Sequence, residues 1–426
     1  MPFLIGPMQM QMKSEKHLTE AAEMLTYVPE VVSLPLTTGA QEGKLLVEVG
    51  EHVKRGQLIA LKDDRFYVPF FSPVSGVVTA VVKKMSARLK PCDHVLISND
   101  FKDETEYLTK TIDDNSSREE IIDFMKNIGL LGQGCAGFPT YIKYSTDKCE
   151  TLIINAVECE PYLTADCANI ERNLADFKQG VRLMFKASLA KACKIGIKAY
   201  HTELIAELKE LFKDEPQIAI CPVKDVYPMG WERTLVSTLL NRHYERLPIE
   251  AGAIVSNAST AITLAAVARE KIAQYERIVT VSGNNVAEPH NILCRLGSEV
   301  GELLKLCGGV KESPANLLMG GPMMGTCVTK EEVCINAICN GVTVYKDEPL
   351  ATIGCLRCGR CVEHCPSSLQ PVLIKEAAKV NDIERLGKLQ LLDCVECGMC
   401  SYVCPSKIDV TEEVRRAKRL YMLKRK

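Results

Sequence analysis

The sequence predicts a multidomain protein of mixed α/β and α+β class. A β-rich barrel comes first, an open parallel sheet fills the middle, and a small helical domain built around cysteines comes last. Three observations carry this. The chain has 426 residues, too many for a single hydrophobic core, so about three or four domains are expected. Its texture shifts along its length, from short glycine-punctuated β runs, through regular strand–helix alternation, to a cysteine-dense tail. That tail repeats itself: Cys355-Leu-Arg-Cys358-Gly-Arg-Cys361-Val-Glu-His-Cys365-Pro366 returns as Cys394-Val-Glu-Cys397-Gly-Met-Cys400-Ser-Tyr-Val-Cys404-Pro405.

Composition sets the bounds. Hydrophobic content of 46% and charged content of 25% are those of an ordinary globular protein. A net charge of −2 supplies no field for nucleic acid, and no nucleic-acid partner is expected. Of the 20 cysteines, those outside the two repeats are scattered singly, which fits a reducing cytoplasm. Residues 1–12 lack the positive start and cleavage signature of a secretory leader. No stretch approaches roughly eighteen consecutive apolar residues, so no membrane-spanning helix is expected and any membrane contact would be peripheral.

Taken in order, residues 1–28 read as a helical leader, with Leu18, Ala21 and Leu25 interleaved among Glu15, Lys16, Glu20 and Glu23 over 13–28. Residues 29–100 carry Val49-Gly50…Val53…Gly56-Gln57 and then Ser72-Pro-Val-Ser-Gly76-Val-Val. This pattern resembles a barrel-sandwich hybrid, the fold of lipoyl and biotinyl carriers. Lys62-Asp-Asp-Arg65 lacks the flanking pattern of a modifiable hairpin lysine, which favours a docking barrel over a carrier. A polar linker over 101–120 runs into a helix over 118–128.

Residues 118–275 alternate strand and helix, which implies a parallel sheet covered on both faces. Two stretches there carry chemistry. Gly129-Leu-Leu-Gly132-Gln-Gly134-Cys135-Ala136-Gly137-Phe138-Pro139-Thr140-Tyr-Ile-Lys143 is dense enough in glycine for backbone N–H groups to approach a phosphate or a flat ring, with Lys143 as a nearby cation. A glycine loop alone also fits a plain turn. The strand over 150–155 ends in Asn155-Ala-Val-Glu158-Cys-Glu160-Pro161, where open α/β sheets place ligands, and Glu158 and Glu160 are suited to ribose hydroxyls. The strand from Ala253 leads to Asn257 and Thr260 at a helix start, a position suited to an anion. Residues 276–345 read as a β-grasp-like module whose glycines are turns. The chain closes on a basic helix from Glu412 to Lys426, read as a solvated helix end or a docking surface.

Each cysteine repeat in 346–426 is C-x2-C-x2-C-x3-C-P, the run that holds a [4Fe–4S] cube. In two-cluster ferredoxins the fourth cysteine ligates the other cube. The expected sets are therefore Cys355, Cys358, Cys361 and Cys404 for the first cluster, and Cys394, Cys397, Cys400 and Cys365 for the second. Structural zinc sites pair two Cys-x-x-Cys knuckles instead, and disulfides demand an oxidising compartment.

The order of these motifs, with Gly134-Cys-Ala-Gly-Phe-Pro-Thr140, Asn155-Ala-Val-Glu-Cys-Glu-Pro161, Ser256-Asn-Ala-Ser-Thr260 and Gly320-Gly-Pro-Met-Met-Gly325 ahead of two cluster runs, closely resembles the RnfC family of the Rnf ion-translocating ferredoxin:NAD+ oxidoreductases. The central domain is also similar to the flavin- and NADH-binding subunit of respiratory complex I. The resemblance implies a Rossmann-like flavin/NADH domain and an SLBB-like β-grasp module before the two-cluster ferredoxin-like domain. It places FMN against Gly132, Gly134, Ala136, Gly137, Lys143, Asn155, Asn257 and Thr260, with the nicotinamide nucleotide over Phe138 and near Glu158 and Glu160. It also implies NADH as substrate. The implied partners are membrane Rnf-type subunits and a ferredoxin-like subunit, and the implied place is cytoplasmic, on the inner face of the cell membrane. No catalytic acid or base is required. The chain departs from the family pattern at Cys135, where Gly is usual, at Gln133, where the complex I relative has Arg, and over Thr37–Gln41. Two other readings use the same parts: a soluble reductase resembling the cobalamin reductase of bacterial microcompartments, whose barrel comes last, and a non-catalytic cluster relay scaffold.

Overall fold

The computed structural model describes residues 10–37, 42–134, 137–348 and 351–424. Cys135 and Ala136 of the glycine loop, and residues 38–41, lie outside them. The barrel packs two antiparallel sheets, one of Val31–Pro35, Pro91–Asn99, Gly76–Met85 and His52–Val53, the other of Lys44–Leu45, Leu58–Asp63 and Tyr67–Phe71. Alternating side chains of both sheets fill its interior, with Val32, Val53, Ile59, Val78, Val95 and Ile97 fully buried. Lys62 is itself buried and lies 3.5 Å from the Asp64 carboxylate, so it is not offered at that hairpin tip.

The central sheet is parallel and four-stranded, in the order Ile218–Val223, Ala192–Lys198, Thr151–Ala156, Ala253–Asn257. Its strands are near-continuous apolar runs because helices cover both faces. Ile154 packs with Phe177, Val181 and Leu264 on one side. Ile153 and Val255 face Leu235 and Val236 on the other. On the first side Leu174–Ser188 crosses Ala258–Glu270 so closely that a Cβ on Gly180 would overlap the Ala261 carbonyl. Alanine at Gly180 gains about 1 kcal/mol of helix propensity but drives a methyl into a backbone that cannot rotate away, an overpacking cost of about 3 kcal/mol. Gly180→Ala is therefore expected to destabilise the fold by about 2 kcal/mol, read as a lowered urea midpoint with an unchanged slope.

The third unit is a six-stranded mixed sheet with the helix Val300–Leu306 packed on it. Its edge strand comes from the other end of the chain: Leu25–Tyr27 runs parallel to His290–Arg295, with Leu25 beside Ile292. The helix expected over 13–28 is thus reduced to one turn, His17–Glu20, with no side-chain cap. The physical reason is tertiary: Leu25-Thr26-Tyr27 completes a sheet edge, and Lys16 is drawn inward to donate from Nζ to the Leu163 carbonyl. The cysteine-rich tail folds as short helices around Ile374, Leu386, Leu391 and Val414, ending in the long helix Val410–Lys424.

Candidate functional site

The parallel sheet reverses direction at one place. From Thr151–Ala156 the chain winds outward through Ala192–Lys198 and Ile218–Val223, then returns to the other side as Ala253–Asn257. Ligands bind beyond the carboxyl ends of strands at such a switch point. The two strands flanking it end in register, Asn155 opposite Asn257. Asn257 caps the helix Ala258–Glu270, its Oδ1 accepting from the amides of Ser259 (2.9 Å) and Thr260 (3.4 Å).

The glycine loop leans on this switch point. A Cβ on Gly134 would stand 3.5 Å from the Asn257 side chain, and the Gln133 amide donates to Thr260 Oγ1 at 2.9 Å. Gly132 closes the loop by donating to the Phe138 carbonyl at 2.8 Å, and Gly137 takes φ +64, a left-handed conformation that favours glycine. Gln133 is buried away from the loop mouth, its Nε2 donating to Thr263 and Gln274. Phe138 is 37% exposed, and its ring meets Phe66 of the barrel hairpin edge-on at 5.6 Å. Lys143 reaches the adjoining strand end, its Nζ 2.8 Å from Glu232 Oε1 and 2.9 Å from the Val255 carbonyl.

The two glutamates part company. Glu158 is buried, accepts from the Asp166 amide at 3.2 Å and sits 4.0 Å from Lys16 Nζ. Its Oε2 has no hydrogen-bond partner among the described residues, and burial pushes its carboxyl above the ordinary value. Asp166 continues the line, its carboxylate accepting from Asn257 Nδ2 (2.7 Å) and Ser259 Oγ (2.7 Å). Glu160 is engaged differently: both oxygens accept backbone amides of another domain, Met323 at 3.0 Å and Met324 at 2.8 Å. Burial raises its carboxyl to about 7, against the pull of those two amides. Glu160 is therefore a strut to the Gly320–Gly325 turn rather than a free ribose acceptor.

The turn that joins these parts shows in the sequence only as the glycine of Met229-Gly-Trp231 opening a helix, with no functional role assigned to it. Asn155 Nδ2 donates to the Gly230 carbonyl at 2.8 Å, and Gly230 is pressed so near the Val157 carbonyl that a Cβ would overlap it. Glu232 of the same turn takes Lys143. Tyr227, buried, donates its hydroxyl to the Cys397 carbonyl at 2.6 Å. The glycine before Trp231 was a signal in the sequence, but its partners were not.

In the tail, Cys365 of the first repeat and Cys394, Cys397 and Cys400 of the second line one pocket. Four thiols converging on one pocket, the fourth crossing from the other repeat, fit the donor set of a cubane. Burial pushes the Cys400 thiol up to about 12 and raises Cys365 and Cys397 as well, so an iron must draw off their protons. Cys361 is buried, while Cys355 and Cys358 are exposed at the molecular surface. The flavin fit rests on Glu158 Oε2, a buried acceptor with no hydrogen-bond partner among the described residues that a ribose or ribityl hydroxyl would satisfy, and on Gly132, Gly134 and Gly137, which carry no side chain into the loop. Most other described cysteines, such as Cys149, Cys193 and Cys294, are buried with raised thiols and pack as small apolar side chains.

Four family models match successive stretches: the RnfC barrel sandwich hybrid domain over 8–102, the Nuo51 FMN-binding domain over 125–266, the SLBB domain over 278–326, and the 4Fe-4S dicluster domain over 354–408. The C subunit of the proton-translocating ferredoxin:NAD(+) oxidoreductase complex of Clostridium ljungdahlii is 30% identical over 374 residues, 85% of this chain and 81% of that one. The C subunit of the ion-translocating oxidoreductase complex of Rhodobacter capsulatus is 31% identical over 397 residues, covering 89% of this chain and 76% of its own. That of Vibrio cholerae is 34% identical over 386 residues, 86% of this chain, which spans only 49% of that longer relative. A solved chain of an NAD+-reducing [NiFe]-hydrogenase shares the fold with a TM-score of 0.53 at 19% identity, over 73% of this chain and 64% of that one.

A flavin-type parallel sheet, a barrel-sandwich hybrid, an SLBB unit and a duplicated cluster motif define a flavin and iron–sulfur electron-transfer subunit. The chain belongs to the RnfC family, the C subunits of the Rnf-type ion-translocating oxidoreductases. It is an oxidoreductase subunit, and the other subunits of such a complex are its partners. Among the described residues no helix is long and apolar enough to cross a membrane.

Proposed function

We propose that this chain carries electrons between NADH and a ferredoxin-like partner of a membrane complex, entering or leaving the flavin pocket through the second cluster. The first cluster then faces the partner. The observation that carries this order is the Val226–Arg233 turn, which touches both centres: Gly230 holds Asn155 at the strand end, and Tyr227 holds the Cys397 loop. A flavin, when bound, exchanges a hydride on one side and single electrons on the other, which clusters require.

The chain's own residues position and shield. Gly132, Gly134 and Gly137 keep side chains off the loop, and the strand-end Asn155 and Asn257 fix its floor. Glu158 takes a hydroxyl, and the exposed Phe138 supplies a ring for the nicotinamide nucleotide. Cys355 and Cys358 are exposed beside Ile353 and Leu356, which are 55% and 62% exposed and suit a docking partner. That surface fits a place on the cytoplasmic, inner face of the membrane.

The test is NADH addition to the anaerobically reconstituted protein. Flavin absorbance should bleach and cluster signals should then appear, while a protein that binds no flavin would overturn the reading. In the same assay Tyr227→Phe is expected to slow cluster reduction several-fold and leave flavin bleaching unchanged, since it loses one buried hydrogen bond to the Cys397 loop, worth about 1 kcal/mol.

A further inference from the structure

The offset that carries Cys355 onto Cys394 also carries Arg357 onto Glu396, Glu376 onto Arg415 and Lys379 onto Lys418. The two repeats therefore hold the same ion pair with its signs exchanged. In the first repeat Arg357 Nη2 and Glu376 Oε1 are 3.5 Å apart, with side chains 81% and 41% exposed. A pair so open to water is screened and contributes little. In the second repeat Glu396 is clamped from both sides, by Arg415 Nε at 3.2 Å and Lys418 Nζ at 2.7 Å, with side chains 36%, 28% and 17% exposed. Lys418 Nζ also donates to the carbonyl of the ligand Cys394 at 3.0 Å. Lys379, at the matching place in the first repeat, is exposed.

We infer that Lys418 and Arg415, balanced by Glu396, set the reduction potential of the second cluster and make the two clusters unequal. The reasoning is electrostatic. Reduction adds one negative charge to a centre already held by four thiolates, and net charge, hydrogen bonds and solvent exposure fix the potential of such a centre. Two cations on one anion leave a positive excess against the Cys394–Cys397 loop, half buried and so weakly screened by salt. That excess favours the reduced form. The first cluster has its charges in open water and gains little from them. Lys418 and Arg415 are thus positioning and tuning residues, and the basic C-terminal helix is more than a solvated end, since its inner edge is spent on a cluster. The inference rests on the ligation of the second cluster by Cys394, Cys397, Cys400 and Cys365.

The test is a potentiometric titration of the anaerobically reconstituted full chain, with both clusters followed by electron paramagnetic resonance. Lys418→Met should lower the second cluster's potential, making its reduction about tenfold less favourable, or about 59 mV for one electron. Glu396→Gln should shift it the opposite way, Lys418→Arg should restore the native value, and Arg357→Gln should leave both clusters in place. A mere helix staple would give shifts of one sign or none, and either result overturns the inference. An iron content well below about eight per chain would instead overturn the ligation itself, and the inference with it.

Discussion

Serine in place of Cys365 is expected to abolish the second cluster and spare the first, although Cys365 belongs to the first repeat. Cys365 lines the same pocket as Cys394, Cys397 and Cys400, and of the four ligands proposed there its thiol comes from the first repeat. A serine oxygen is a poor iron ligand in a pocket built for soft thiolates. Iron should fall from about eight to about four per chain, with one cluster signal remaining. If electrons pass between the flavin pocket and the second cluster, as proposed from the Tyr227–Cys397 contact, NADH should still bleach flavin while reduction of the surviving first cluster is lost. Cys404→Ser should do the reverse: the first cluster disappears, and NADH still reduces the second. If Cys365→Ser removes the signal that Cys355→Ser also removes, the crossed ligation is wrong.

The parts of this site that the sequence made legible are those set by local spacing. The cysteine repeats, the glycine loop and the two strand-end asparagines each announce themselves within a dozen or so residues, since loop closure around a cube or a phosphate imposes short, fixed intervals. The strands of the central sheet were legible for a similar reason, their apolar runs being buried on both faces. What could not be read was long-range. Nothing in Glu160 tells that its oxygens meet Met323 and Met324 in another domain. Nothing in Leu25-Thr26-Tyr27 tells that a sheet edge waits beside His290–Arg295, and so a helix was expected there. Lys143 carried the right charge, but its ion pair with Glu232 depends on a turn far along the chain. The sign exchange between Arg357–Glu376 and Glu396–Arg415 was present in the sequence, yet only burial gives it meaning.

Glu160 leads to an unusual dependence of stability on pH. Burial lifts its carboxyl from the ordinary 4.5 to about 7. An acid whose folded value lies above its unfolded one contributes stability that is full below pH 4.5 and is lost as pH rises through about 7. Over that window the loss is on the order of 3 kcal/mol, and buried Glu158 shifts in the same direction. The unfolding midpoint is therefore expected to fall between about pH 5 and pH 8, where most proteins hold steady. Glu160→Gln should reduce the slope, leaving the share due to Glu158. It should also lower stability at pH 5 by about 1–3 kcal/mol, because an amide nitrogen cannot accept from the Met323 or Met324 amide and leaves a buried donor unpaired. The consequence reaches the clusters. The Met323 carbonyl stands 2.5 Å from where a Cβ on Gly398 would sit, so the turn that Glu160 grips is the surface on which the second cluster's loop rests. Loosening that grip should slow NADH-driven cluster reduction in Glu160→Gln while flavin content is unchanged. A variant with native cluster reduction and a native pH profile would show that the strut carries no load.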